Sequence, residues 1–330
     1  MYAEALAAAV AAGDDARGTT SPNPPVGAAI VSADGRLVGV GATRPAGGEH
    51  AEIVALRQAG DDARGGTAVV TLEPCNHTGR TGPCSHALLA AGVAEVRYVH
   101  ADPNPDASGG AQWLAEQGVA VGPITGRAAA LEPWLAAVRL GRPHVTLKFA
   151  QTLDGFTAAV DGTSQWITSA AARRDVHRDR RTRDAIIIGT GTALADDPSL
   201  TARTSDGELF DQQPRRVVIG ARNITGAAAN LVRLGYEQYP SLDDALTHLW
   251  DTGARDVLIE GGAGLAAGAV TAGLVDAVRA YVAPLLLGDG RGVLAGAGVG
   301  TLADARRFDL VDVTTLGADV LLNMTRKDHP

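Results

Sequence analysis

Three residues in the first third of the chain have the donor types of a transition-metal site: His50, Cys75 and Cys84. One imidazole and two thiolates give Zn2+ three protein ligands and leave the fourth tetrahedral position open, which is the arrangement of a catalytic site. Zinc so held lowers the pKa of bound water towards about 7, and a carboxylate two residues from the histidine, Glu52, is placed to carry the proton. The competing reading is a closed structural site, for which His77 or His86 would have to be the fourth ligand, and Glu52 would then have no purpose. A second stretch, Glu260-Gly261-Gly262-Ala263-Gly264, follows the apolar run Val257 to Ile259 and opens a helix. Free N–H groups and the helix dipole suit it to a cofactor phosphate, and the alternative is a turn whose glycines only let the helix pack close to the sheet. Gly189-Thr190-Gly191 also follows a strand, but it lacks the third glycine of the dinucleotide fingerprint and the spacing to a ribose-binding acid.

These residues need a framework, and the hydrophobic pattern supplies one. Met1 to Gly13 is Ala-rich and interrupted by Glu4, with no basic stretch before it, and reads as an amphipathic helix rather than a signal peptide. Strands are expected at Val26 to Val31 and Leu37 to Val40 around an Asp34-Gly35 hairpin, then at Ala68 to Leu72, Glu95 to His100 and near Val119. Helices are expected at Ala51 to Ala59, Ser85 to Ala91, Ala111 to Gln117 and Ala128 to Leu140. After Gly141-Arg142-Pro143 the alternation resumes with a strand at Val145 to Phe149, a helix at Ala170 to Arg183, and strands at Ala185 to Ile188, Arg216 to Ile219 and Val257 to Ile259. Helices at Leu242 to Trp250 and Leu265 to Ala272 accompany them, and strands near Ala277 to Leu287 and Asp319 to Met324 end the series. Such alternation implies α/β layers with mostly parallel pairing. The punctuation at 141–143 places a domain boundary there, giving domains 1–143 and 144–330, as the 330-residue length also favours.

Composition bounds the partners. Hydrophobic residues make up 45% and charged residues 20%, and the net charge is −8, so a broad nucleic-acid footprint is not expected. No apolar run approaches the roughly 20 residues that span a bilayer. With only two cysteines, spaced for chemistry, the chain reads as cytoplasmic.

The pattern His50-Ala51-Glu52 with Pro74-Cys75 matches the H-x-E and P-C elements of zinc nucleobase deaminases, in which the Glu is general acid/base and not a ligand. It departs in one respect, since eight residues instead of two separate the cysteines. Together with Pro22-Asn23-Pro24-Pro25-Val26-Gly27 and the run from Glu73 to Cys84, the sequence resembles the bifunctional riboflavin biosynthesis deaminase/reductases, whose own spacing is the eight-residue gap. The resemblance continues through Lys148 to Gly155, Ser164 to Thr168, Asp184 to Gly189, Ala195 to Leu200 with Arg203, and Glu260 to Gly264, and so spans nearly the whole chain.

That resemblance implies a cytidine-deaminase-like α/β/α domain followed by a dihydrofolate-reductase-like α/β domain. It implies deamination of 2,5-diamino-6-ribosylamino-4(3H)-pyrimidinone 5′-phosphate, then NADPH-dependent reduction of the ribosylamino-uracil at C1′ of the ribose. His50, Cys75 and Cys84 would hold zinc, Glu52 would move protons, and Asn23 and His77 would touch the pyrimidine. Arg80 stands where a basic residue is common and would meet the substrate phosphate or remain solvated. Ala150, Trp166, Thr192, Asp196 and the turn Gly262, Ala263, Gly264 would lie beside NADPH, and Ser164, Arg180, Leu200, Arg203 and Glu260 beside the substrate. Arg180 and Arg203 have the chemistry of phosphate clamps, although His177 to Arg183 also reads as a solvated, charged helix face. Members of the family suggest a homo-oligomer.

Two features depart from the resemblance. Gly82 replaces a more usual proline. Gly220-Ala221 replaces an Asp-Ser pair in a shortened segment near the cofactor's adenosine end, which bears on the choice between NADPH and NADH. The alternatives are a single-activity deaminase with a degenerate nucleotide-binding second domain, a nucleic-acid editing deaminase, and a non-enzymatic sensor with structural zinc. The net charge and the 4% aromatic content disfavour the editing reading.

Overall fold

The computed structural model describes residues 2–77 and 82–327, and the chain falls into two units, Met1–Gly141 and Arg142–Pro330. In the first, α1 (Tyr2–Ala16) precedes the hairpin of β1 (Gly27–Val31) and β2 (Leu37–Ala42). There follow α2 (Ala51–Ala59), β3 (Thr67–Leu72), α3 (Cys84–Ala90), β4 (Glu95–His100), α4 (Gly110–Glu116), β5 (Ala120–Pro123) and α5 (Glu132–Leu140). The sheet order is β2-β1-β3-β4-β5. β3, β4 and β5 are parallel, but β1 is antiparallel to both β2 and β3. Mostly parallel pairing therefore describes only one side of this sheet, because the tight turn with Gly35 at φ 89° reverses the chain at once.

β1 and β3 are buried on both faces, and their period-2 alternation separates two cores. Ala28, Ile30, Ala68 and Val70 pack with Ala51, Ala55 and Leu88, while Ala29, Val31 and Val69 pack with Ala5 and Ala9 of α1. The sheet thus lies between helices, with α2 and α3, the helices that begin at the zinc-type residues, on one face.

The second unit runs β6 (His144–Thr152), β7 (Phe156–Ala158), α6 (Ala170–Arg181), β8 (Ala185–Gly189), α7 (Thr190–Asp196), β9 (Arg215–Ile219), α8 (Ala229–Leu234) and β10 (Glu237–Tyr239). It continues with α9 (Leu242–Asp251), β11 (Asp256–Glu260), α10 (Ala263–Thr271), β12 (Ala277–Ala283), β13 (Arg291–Gly292), β14 (Phe308–Leu316) and β15 (Asp319–Arg326). Eight strands form one sheet in the order β10-β9-β8-β11-β6-β12-β15-β14, and β7 pairs separately with β13. The strands from β10 to β12 are parallel, and β15 and β14 are antiparallel additions at one edge. The strand expected to reach Leu287 stops at Ala283, and α6 stops at Arg181. Among the described residues, no helix is long and apolar enough to cross a membrane.

Candidate active sites

In the N-terminal unit three chain segments meet. His50 is the N-cap of α2, Glu52 lies in that helix's first turn, Cys75 follows the end of β3, and Cys84 opens α3. His50 Nδ1 lies 3.6 Å from Cys75 Sγ and 3.4 Å from Cys84 Sγ. Tetrahedral zinc with Zn–S of about 2.3 Å and Zn–N of about 2.0–2.1 Å requires N···S separations of roughly 3.6 Å, so the donors fit the ion. The three ligand atoms lie within 4.8 Å of one another, and among the described residues neither His77 nor His86 joins them.

Two glycine contacts and one carboxylate set this geometry. A Cβ on Gly41 would sit 2.3 Å from Ala51 O, so only glycine lets α2 rest this closely on β2. A Cβ on Gly110 would sit 1.8 Å from Pro74 O, which seats α4 against the Pro74-Cys75 loop. Glu73 accepts hydrogen bonds from the N–H groups of Ala111 (3.1 Å), Gly109 (3.2 Å) and Asp102 (3.3 Å), tying that loop to α4. Sequence alone assigns Glu73 no role, although a carboxylate beside a Pro-Cys pair is an available signal.

Electrostatics follow from burial. Glu52 is 4% exposed, and burial, then the charge at Cys75, pushes its carboxyl up to about 7. Without metal the two thiols share a proton: the Cys84 hydrogen bond, joined by His50, pulls Cys75 down to about 4, and the same sharing pushes Cys84 up. Asn23 lies on a loop whose turn is closed by Asn23 N–H to Thr20 O (2.9 Å) and anchored by Trp134 Nε1 to Pro22 O (2.9 Å). His77 is exposed beyond Cys75, and Arg80 lies outside the described residues.

In the C-terminal unit the turns at the carboxyl ends of β8, β9 and β11 lie side by side, because Gly189 pairs with Ile219 and Ile187 with Ile259. Open parallel sheets bind their ligands at this edge. Glu260 ends β11 and is 7% exposed. Arg180 of α6 grips it with Nε to Oε1 at 2.7 Å and a second N–H to Oε2 at 2.8 Å, and donates to Thr201 O at 3.0 Å. Lys148 Nζ of β6 is 3.6 Å from the same carboxylate. Burial alone would raise Glu260, but Arg180 and Lys148 outweigh it and hold the carboxyl down, at about 2.

On the helix face read as solvated, Arg178 is exposed, but Arg180 and Arg183 are turned inwards and paired. Arg183 also joins Asp179 and Asp256 at 2.7 Å each. Arg203 donates to Thr201 Oγ1 (3.0 Å) and Gly207 O (2.8 Å), beside buried Leu200, whose φ is 49°. Ala150 lies on β6, two residues past Lys148. Ser164 and Trp166 lie on the exposed segment before α6, and the Arg173 guanidinium sits 4.5 Å from the Trp166 ring centroid. Thr192 and Asp196 are on α7. The turn that leads through Gly262 to Ala263 and Gly264 fits a phosphate-bearing cofactor: α10 has no side-chain cap, and a Cβ on Gly262 (φ 78°) would come within 3.0 Å of Thr192 Oγ1. Lys148 and Arg173 are additions to the residues named from sequence; a lone cation inside the apolar strand Val145 to Phe149 was the signal for Lys148.

Comparison with known proteins finds a match for each unit. Residues 2–100 match the cytidine and deoxycytidylate deaminase zinc-binding region, and residues 143–322 match the RibD C-terminal domain. The riboflavin biosynthesis protein RibD of Corynebacterium ammoniagenes is 61% identical over 308 residues, covering 92% of this chain and 91% of that protein. Its counterpart in Mycobacterium tuberculosis is 47% identical over 98% of this chain and 97% of that protein. Acinetobacter baumannii RibD superposes with a TM-score of 0.86 at 38% identity, covering 98% of both chains. A Thermotoga maritima diaminohydroxyphosphoribosylaminopyrimidine deaminase/5-amino-6-(5-phosphoribosylamino)uracil reductase gives 0.87 at 29% identity, also over 98% of both. The chain belongs to the RibD family of bifunctional riboflavin biosynthesis enzymes, uniting a zinc-dependent deaminase with an NADPH-dependent reductase.

Proposed function

We propose that His50, Cys75 and Cys84 hold the zinc ion and that Glu52 is the proton carrier in deamination of the diaminopyrimidinone ribotide. When bound, zinc supplies a Lewis acid that brings the pKa of water near 7. Glu52, buried and able to exist in either protonation state near neutrality, accepts a proton from the attacking water and delivers it to the departing ammonia. Asn23 and His77 border the ring and orient it. The observation that carries this reading is a three-donor cluster with a buried carboxylate beside it and no fourth protein ligand among the described residues.

In the second unit, Ala150, Trp166, Thr192, Asp196 and the turn Gly262 to Gly264 hold NADPH, while Ser164, Arg180, Leu200, Arg203 and Glu260 border the ribose phosphate. NADPH supplies the hydride. Arg203 offers N–H groups to the phosphate, and Arg180 fixes Glu260 towards the ribose. The protein's work here is orientation of two bound partners. The boundary between the two domains along the chain lies near residue 143. A cytoplasmic location suits two buried free thiols, and a homo-oligomer suits exposed Leu310, Val311 and Val313 on β14.

A two-stage assay tests the assignments: ammonia release from the diaminopyrimidinone ribotide, then NADPH oxidation on the deaminated product. In Glu52→Gln, zinc content and NADPH oxidation should persist while ammonia release falls by roughly 10^2- to 10^4-fold. Unchanged ammonia release would exclude Glu52 as the proton carrier.

A further inference from the structure

Thr201 is the point at which α6 grips the chain that follows α7. Its carbonyl oxygen lies 2.9 Å from His177 Nδ1 and accepts from Arg180 at 3.0 Å. These two side chains stand three residues apart on one face of α6. A carbonyl only accepts, so Nδ1 carries the proton of the His177 ring, and both lone pairs of the oxygen are engaged. The Thr201 hydroxyl accepts in turn from Arg203 Nε at 3.0 Å. Thr201 itself is 2% exposed, so no water replaces a lost partner at low cost.

The segment needs to be held. Leu200, buried and not a glycine, has φ 49°, a left-handed conformation that persists only where the surroundings impose it. On one side Gln213 accepts from Ala202 N–H (2.9 Å) and donates to Ala202 O (2.8 Å), and Arg216 Nε donates to Ser199 O (3.0 Å). On the other side stand His177 and Arg180. Arg180 is shared, because its Nε and a second nitrogen are committed to Glu260. His177 is not: Thr201 O is the hydrogen-bond partner of its ring among the described residues.

The consequence falls on Arg203. Its Nε is bound to Thr201 and its Nη1 donates to Gly207 O at 2.8 Å, which leaves Nη2 without a protein partner among the described residues. The direction of that free N–H group follows from the orientation of Thr201. We propose that His177 is a positioning residue of the reductase, whose Nδ1–H fixes the Thr201 carbonyl and thereby aims Arg203 at the phosphate of the ribotide. His177 does not itself touch the substrate. The proposal rests on the reading that Arg203 meets the ribose phosphate.

Steady-state kinetics of NADPH oxidation on the deaminated ribotide test it in the full-length, zinc-loaded protein. The variants are His177→Phe, His177→Asn, Arg203→Gln and the double variant, with His177→Leu as a second donor-less side chain if phenylalanine is not accommodated; thermal unfolding shows that each is folded. Loss of one neutral hydrogen bond predicts that His177→Phe raises the KM for the ribotide roughly 3- to 10-fold, with kcat and the KM for NADPH unchanged. His177→Asn, whose amide nitrogen stands where Nδ1 does, should restore the wild-type KM. In the Arg203→Gln background His177→Phe should add nothing, since it acts through Arg203. If Arg203→Gln leaves the KM unchanged, the phosphate reading fails and the proposal with it. If Arg203→Gln raises the KM but His177→Phe does not, the role of His177 alone is overturned. A His177→Phe variant that loses kcat and Tm together, without rescue by asparagine, overturns it as well, since the ring then only fills space.

Discussion

Glu260 is a carboxylate with two cations around it and almost no water, and that combination makes its ionisation part of the fold. Its folded carboxyl titrates at about 2, against about 4.3 in an unfolded chain. A depressed carboxyl stabilises fully above its unfolded value and loses that contribution as pH falls towards the folded one. Glu260→Gln leaves Arg180 and Lys148 without their shared counter-charge, and should cost on the order of 3–5 kcal/mol at pH 7. The cost should shrink steadily between about pH 4 and pH 2, where the wild-type carboxyl itself takes up a proton. Urea midpoints of wild type and variant at pH 7 and pH 3 check this; an equal gap at both would mean that shape, not charge, is what the glutamine disturbs. The contrast with the zinc cluster explains what a sequence reveals at this scale. His50, Glu52, Cys75 and Cys84 are legible because few structural roles require those donor types together. Arg180 and Arg183 read as a solvated helix face because Glu260 and Asp256, which draw them inwards, lie on a strand some 70 to 80 residues away, and the pairing of Arg183 with nearby Asp179 looks the same on an exposed helix. Burial of an ion pair between distant segments leaves no local trace.

At the scale of elements, the deaminase site depends on how closely α2 sits on β2. Gly39 and Gly41 face it, and Cβ atoms on them would lie 2.2 Å from Ala55 O and 2.3 Å from Ala51 O. Because the clash is with helix backbone, α2 has to move to relieve it, and His50 and Glu52 move with its first turn. Gly41→Ala should therefore destabilise the N-terminal unit by roughly 1–3 kcal/mol, lower its zinc content and reduce ammonia release, while leaving NADPH oxidation on deaminated substrate intact. Metal analysis with both assays decides it; full zinc occupancy would show that the helix absorbs the methyl without shifting its N-terminus. The elements that position this site were legible because β1 and β3 are apolar runs and α2 has its helical pattern after His50. Others were not. β14 is exposed along nearly its whole length, so Phe308 to Leu316 has no alternating pattern to mark it. β10 and α8 have three and six residues, too few for periodicity to register. The strand after Asp276 is continuous with an apolar run, and only tertiary pairing ends it at Ala283.

At the scale of the whole chain, each unit has hydrophobic cores of its own. Ile30, Leu72, Leu88 and Leu131 belong to the first, and Val145, Ile187, Leu249 and Ile259 to the second. The zinc donors all lie in the first unit, and the Gly262 turn in the second. A ligand stabilises only the cooperative unit that binds it in the folded state. Zinc held by three residues from three separate segments couples metal binding to folding of the first unit. Calorimetric unfolding should accordingly show two transitions. Chelation should lower one of them and abolish ammonia release, leaving NADPH oxidation on deaminated substrate unchanged. NADPH at a hundred times its dissociation constant should raise the other by an amount equivalent to about 2.7 kcal/mol. If chelation instead moves both transitions together, the two units unfold as one cooperative body, and the loss of one catalytic centre weakens the other through stability rather than through chemistry.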